Sequence, residues 1–433
     1  MKKRLILLAL NEINFEIVEQ YIDSGAKLPG FKRLLSGISR STTSEQKYSL
    51  LEPWIQWPSV HTGKKFEEHG VFRLGDFASC DADQIFEILE RHGLSAGAVS
   101  PMNATNRLKH PSYFIPDPWT KTSTDGSFLS ECLAGALRQS VNDNAESKLS
   151  MLTVFRLVLV GLCLIRVRKL VALFRLGISA RGRKWRKALF LDQYLFEIHR
   201  SLFLQNRPDF SLLFLNGGAH IQHHYLHNSI LGIDSDERNP EWYLSRENDP
   251  VGEMLNRYDD LLLELNDFND VDVIVATGLS QKLYEQPVYY YRLCDHESFL
   301  RLLGVSFRVV EPRMTRDFLV SFESADLALI AEHKLKRLVV NDEDPLFGEI
   351  DNRGETLFVT LTYHREVEEC TTIKIDNQEV LLRRFVNFVA LKNGEHFGQG
   401  YSYYTEGVGQ FAPAEGTHVA ALHQTVLRYF GIE

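Results

Sequence analysis

"FSLLFLNGGAHIQHHY", residues Phe210 to Tyr225, is the stretch whose reading decides the fold. Its first half is an unbroken apolar run of strand length, the pattern of a parallel strand covered on both faces. Its second half opens on Asn216 and two glycines and carries three imidazoles, His220, His223 and His224, within five positions. Open parallel sheets gather ligand groups at the carboxyl ends of their strands, so this placement marks a site.

The same pattern recurs on either side. Leu5 to Leu10, Leu94 to Ser100 and Asp270 to Gly278 read as further strands, and "DQIFEILERHG" and "MLNRYDDLLLELNDF" as amphipathic helices between them. A helix is expected from Phe15 to about Ser24, and another opened by Pro29 and ended by Gly37. Strands alternating with helices predict an α/β fold, a mostly parallel sheet with helices on both faces. The start, "MKKRLILLAL", places basic residues ahead of an apolar run as a leader does, yet that run meets Asn11 and Glu12 at once, so it reads as the first buried strand. Asn11/Glu12, Asn216 to His224 and Thr277/Gly278 then all fall at strand ends, as parts of one site.

With 433 residues, the chain fits one large domain with insertions, or two domains. Its 44% hydrophobic and 24% charged residues are those of an ordinary folded chain, and its net charge of −9 argues against nucleic acid as a partner. Cys80, Cys132, Cys163, Cys294 and Cys370 are odd in number and widely spaced, which points to free thiols in a reducing, cytoplasmic setting.

Two segments interrupt the alternation. From Ser150 to Leu191 there is no acidic residue, while ten Arg and Lys are interleaved with large aliphatics and Phe. Arginines recur too often for a spanning helix, leaving two readings: an interfacial helix against an anionic membrane through residues 150 to 190, peripheral at its inner face, or a helical cap with snorkelling arginines. From about Ala325 to Val389, "LFVTLTYH", "TTIKID" and "VNFVALK" predict a β-rich insertion. The expected organisation is core over 1–105, basic helical insertion over 106–205, core over 206–324, β-rich insertion over 325–389 and a closing core segment over 390–433.

Several blocks, in order, carry a family likeness: "LALNEINFEIVEQYIDSGAKLPGFKRLLSG", "WPSVHTGKKFEEHGVF", "AHIQHHY", "NGEHFGQGYSYYTEG" and "VAALHQTVLRYFGI". Together they resemble the alkaline phosphatase superfamily, in particular its type I phosphodiesterase/nucleotide pyrophosphatase branch, over about half the chain. The resemblance implies an alkaline-phosphatase-like fold, two divalent cations held by Asp and His, and a Thr or Ser nucleophile. Carried over residue by residue, the first family Asp falls on Asn11, with Glu12 beside it as the substitute ligand. The family's Asp-x-x-x-His falls on Ala219 and His223, with His220 as the nearest replacement for the missing Asp. Its later Asp-His pair falls on Thr277 and Gly278, and its last His on His396. The nucleophile position falls near Pro53, where Glu52 is the polar group in reach, as a general base or a replacement metal ligand.

The resemblance thus implies one divalent cation, zinc or manganese, held by Glu12, His220, His223 and His396, with Glu52 catalytic and Asn11, Asn216 and Thr277 lining the pocket. The bland alternative makes the histidines polar residues opening a helix, with no metal at all. His61 and His69 read as structural. The expected function is a phosphodiesterase-like hydrolase or transferase of phosphate or sulfate esters. The alternative is a catalytically inactive scaffold, binding or membrane-associated, in envelope polysaccharide metabolism.

Overall fold

The computed structural model describes residues 4–143, 150–232, 238–265, 268, 270–313, 316–375 and 378–432. The chain divides into two compact units. One comprises Met1–Asp236, Pro240–Leu283 and Gly394–Glu433, and the other Glu237–Asn239 and Tyr284–Asn393.

The first unit is built on an eight-stranded sheet. Its strands are β1 (Leu5–Leu10), β2 (Ile38–Thr43), β3 (Ala96–Val99), β4 (Tyr113–Ile115), β5 (Phe210–Leu215), β6 (Asp272–Ala276), β7 (Gln399–Tyr404) and β8 (Thr417–His418). Their spatial order is β8-β2-β7-β6-β1-β5-β3-β4. β6, β1, β5, β3 and β4 run parallel, and β7 is antiparallel to both β6 and β2. β1 lies at the middle, with Leu5 to Leu10 registered on Phe210 to Leu215, so the tips of β1 and β5 end side by side.

The central strands are mostly apolar, β1 throughout, because they must satisfy two cores. Ile6, Leu8 and Leu10 join one apolar cluster with helices Phe15–Asp23, Arg186–Asn206 and Pro250–Leu265. Leu5, Leu7 and Ala9 join the other, with helices Pro53–Thr62, Ile85–Arg91 and Ala421–Tyr429. The α/β expectation, a mostly parallel sheet with helices on both faces, therefore holds. Local signals set the helix starts: Asn14 caps Phe15–Asp23 by accepting from the Glu16 amide, and prolines open Pro29–Leu35 and Pro53–Thr62.

Within 106–205, expected as an insertion, Tyr113–Ile115 adds an edge strand beside β3, and the basic stretch forms helices Met151–Leu164 and Val167–Ser179. No helix among the described residues is long and apolar enough to cross a membrane. The second unit begins at Tyr284, ahead of the β-rich stretch expected from Ala325, and carries two four-stranded antiparallel sheets around strands Thr356–Thr360 and Thr372–Ile375.

Candidate metal centre

At the end of β1 the chain turns through Glu12, whose φ of +60° is a left-handed conformation for a residue with a side chain. Such a conformation costs about 1–3 kcal/mol and persists only where surroundings impose it. Here the Glu12 amide donates to the Thr277 carbonyl at the tip of β6 (3.0 Å), and the Glu12 carbonyl accepts from Gln222 Nε2 (2.8 Å). The turn drives the Glu12 carboxylate, 2% exposed, into the space above the strand ends.

Helix Gly217–Tyr225 leaves the tip of β5 and brings His223 to the same point. Its first amides are held by buried groups: Gly217 donates to Asp192 Oδ2 (2.8 Å) and Gly218 to the Tyr258 hydroxyl (2.7 Å). His396 arrives from strand Val386–Phe397, just ahead of β7. The three side chains meet tip to tip. His223 Nε2 lies 3.2 Å from Glu12 Oε2, His396 Nε2 lies 3.3 Å from the same oxygen, and the two nitrogens are 3.2 Å apart. Among the described residues this is the one group of three or more such side chains that could hold a metal ion.

The geometry fits an ion. At metal–ligand bonds of about 2.0–2.1 Å, adjacent ligand atoms of tetrahedral zinc stand about 3.3 Å apart, so the three atoms match one face of that tetrahedron. The surroundings fit as well. His223 Nδ1 faces the Gly394 carbonyl at 2.9 Å, which calls for a proton on Nδ1 and leaves Nε2 its lone pair. A Cβ at position 394 would sit 2.3 Å from Gln281 Oε1, so a side chain there would push Gln281 off its place beside Glu12. Glu12 Oε1 accepts from Asn11 Nδ2 (3.1 Å) and Oε2 from Gln281 Nε2 (2.5 Å). Burial pushes the Glu12 carboxyl up, but the adjacent His396 and His223 outweigh it and hold the group well below the usual carboxylate range.

Glu52 is the residue just ahead of helix Pro53–Thr62, and its Oε2 lies 3.4 Å from His396 Nδ1, the ring nitrogen facing away from the triangle. This contact places Glu52 behind His396, on the far side of that ring from the triangle. His220 also departs from expectation. It is exposed, with its ring 4.7 Å from that of His224. Around the helix, 220 stands about 100° from 219 and about 40° from 224, so its ring lies beside His224 on the exposed flank.

Asn11, Asn216 and Thr277 sit where expected at the strand ends but serve as framework. Asn11 Nδ2 donates to Asn216 Oδ1 (2.8 Å), and Asn11 Oδ1 accepts from Trp57 Nε1 (2.8 Å). Thr277 is fully buried, its hydroxyl accepting from the Tyr401 amide (2.9 Å). A Cβ on Gly278 would stand 3.3 Å from the Trp57 indole. The indole thus packs against Gly278, one of the two positions where the resemblance would place ligands of a second cation. His61 and His69 are buried and bonded to Met102 O and Ser59 Oγ, in line with structural roles. Sequence alone does not single out Gln222, Gln281 or Gly394; the polar "SQK" at 280–282, separated from the end of β6 by three residues, is the signal available for Gln281.

An α/β protein with a His, His, Glu cluster at the tips of its central strands is the class that this fold and site define. No family model matches the chain, and no curated protein does. It is similar to solved structures of phosphonoacetate hydrolase from Sinorhizobium meliloti in complex with phosphonoacetate, at 12% identity and TM-score 0.45, over 99% of this chain and 96% of that one. It is similar also to murine ectonucleotide pyrophosphatase/phosphodiesterase 5 (9% identity, TM-score 0.42, 100% and 96% covered). A third is alkaline phosphatase from the Antarctic bacterium TAB5 (10% identity, TM-score 0.42, 99% and 98% covered).

Proposed function

We propose that the chain is a one-cation hydrolase or transferase of phosphate or sulfate esters, phosphodiesterase-like in its reaction. Glu12, His223 and His396 are the protein ligands, and Glu52 positions His396. The observation that carries this reading is the triangle of ligand atoms with edges of 3.2, 3.2 and 3.3 Å. Three protein ligands leave one position of a tetrahedral ion unfilled, as at catalytic zinc and not at structural zinc.

A bound zinc or manganese ion would polarise a phosphoryl oxygen and stabilise the charge that builds on it. The protein's own groups prepare that step. Glu12 supplies negative charge from a fully buried position, and Asn11 and Gln281 fix its two oxygens. The Gly394 carbonyl and Glu52 face the Nδ1 atoms of His223 and His396, so both Nε2 lone pairs are directed inward. The imidazoles are each about one-sixth exposed, which leaves the triangle reachable from solvent. With proline at position 53 in place of a hydroxyl, water is the nucleophile this reading requires.

The test is turnover of bis(p-nitrophenyl) phosphate, p-nitrophenyl phosphate and p-nitrophenyl sulfate with zinc or manganese added. Turnover is expected for at least one ester and should fall about a hundredfold or more in His396→Ala. A metal-loaded protein that turns over none of them sinks the catalytic reading. The Trp57 indole packed against Gly278 favours the second reading, a binding protein without turnover. That reading predicts ester binding with no product.

A further inference from the structure

Helix Met151–Leu164 carries Met151, Val154, Phe155, Val158 and Leu162 on one face, and all five are exposed, Met151 by 85% and Leu162 by 69%. At about 100° per residue they fall within roughly a third of the helix circumference. The opposite face holds Thr153 and Val160, which are buried. Helix Val167–Ser179 repeats the design. Val167, Val171, Phe174 and Ile178 form a narrower exposed stripe, while Leu173 and Leu176 are buried behind it. Each helix is thus apolar twice over, once toward the core and once toward solvent. Among the described residues, ten of the 22 exposed large hydrophobic side chains lie between positions 151 and 178, so this is a concentrated patch and not ordinary surface scatter.

The charges divide in the same way. Arg166 and Lys169 turn inward to Glu197 and Glu264, and Arg186 to Glu253. Arg168, Arg175, Arg181, Arg183, Lys184 and Lys187 make no ion pair among the described residues. Arg168 and Arg175 border the second apolar stripe, and no acidic side chain occurs from Ser150 to Leu191 to offset them. At 14 and 13 residues, both helices are well short of the roughly 20 needed to cross a bilayer. Apolar stripes edged by uncompensated arginines are suited to lying in a membrane surface, apolar side down, with the cations at the headgroups.

We infer that helices Met151–Leu164 and Val167–Ser179 dock this protein on an anionic lipid surface. Single-sign charge favours this occupant over a protein partner, because the cores of protein interfaces are depleted of charge. The inference stands independently of the metal centre.

The experiment is co-sedimentation of the full-length protein with vesicles of phosphatidylcholine alone and of phosphatidylcholine with about one-third phosphatidylglycerol. Wild type should pellet with the anionic vesicles at low salt and be released as salt rises. Phe155→Glu/Phe174→Glu should stay in the supernatant, with an unchanged circular dichroism spectrum. Arg168→Gln/Arg175→Gln should weaken binding about fivefold per charge removed, while Leu329→Glu/Ile330→Glu, altering exposed apolar residues elsewhere, should bind as wild type does. Wild type that stays in the supernatant, or binding that is indifferent to both the Phe and the Arg pairs, overturns the inference. So does light scattering that shows the stripes joining two copies of the chain, with no lipid bound.

Discussion

Two corners of one strand-end site have gone different ways. At the first, Glu12, His223 and His396 bring three lone-pair donors within 3.3 Å of one another. At the second, Asn11, Thr277 and Gly278 offer no such set, and the Trp57 indole donates to Asn11 and packs against Gly278. The first corner is polar, tense and partly open; the second is a small piece of core. The backbone at Glu12 is held left-handed for the sake of the first, whereas the side chains of the second are satisfied by one another. One set of strand ends thus holds both a candidate ligand cluster and a packed corner, and the fold by itself does not decide what either does.

Two buried carboxylates near the first corner sharpen the contrast. Glu12 is held well below the usual range because, although burial opposes it, two imidazoles face it. Asp192 accepts from neutral donors, the Tyr258 hydroxyl and the Gly217 and Asn216 amides, and burial pushes it up to about 7. Both carboxylates are fully buried, and the shifts differ in direction because Glu12 faces two basic imidazoles, which lower it when protonated, whereas Asp192 faces only neutral donors.

The largest expected effect comes from removing a ligand. Glu12→Gln or His223→Ala should bring bound metal to background, measured after dialysis against metal-free buffer. Next comes the back of His396: Glu52→Gln should lower metal affinity about 10–100-fold without abolishing the site, as read by competition with a chelating dye. An effect as large as that of His223→Ala would make Glu52 a ligand.

The pH dependence tests the support under His223. The Asp192 carboxyl is raised on folding from about 4, so between pH 4 and about 7 the folded protein binds the extra proton. Stability from this group is therefore present at low pH and lost as pH rises through 7, on the order of a few kcal/mol. Asp192→Asn should flatten that part of the curve in urea melts taken across the range; an unchanged slope would mean that Asp192 is ionised in the folded state. The smallest effect belongs to the second corner. Trp57→Phe strands Asn11 Oδ1 and should cost about 1–3 kcal/mol while leaving metal content unchanged.

Much of this was legible in the sequence for a physical reason. β1, β5 and β6 serve two cores and so appear as mostly apolar runs, and their ends could be located. β2, "ISRSTT", and β7, "QGYSYY", gave no such pattern, because they lie toward one side of the sheet and mix polar with apolar residues. Glu12, His223 and His396 were identifiable as candidates, since strand-end position and family likeness converged on them. His220 was not separable from His223 by spacing to neighbours alone; only the angle around the helix from Ala219 distinguishes them. The role of Glu52 depends on which nitrogen of His396 it faces, and that is settled by a contact across 344 positions of chain.

The central claim is that the first corner holds an ion. Its most direct test is elemental analysis by inductively coupled plasma mass spectrometry of purified wild type beside His223→Ala/His396→Ala. About one zinc or manganese per chain in wild type, and background in the variant, is the predicted result. Background in both, after loading with either metal, would contradict it and leave the triangle as two imidazoles and a carboxylate sharing protons.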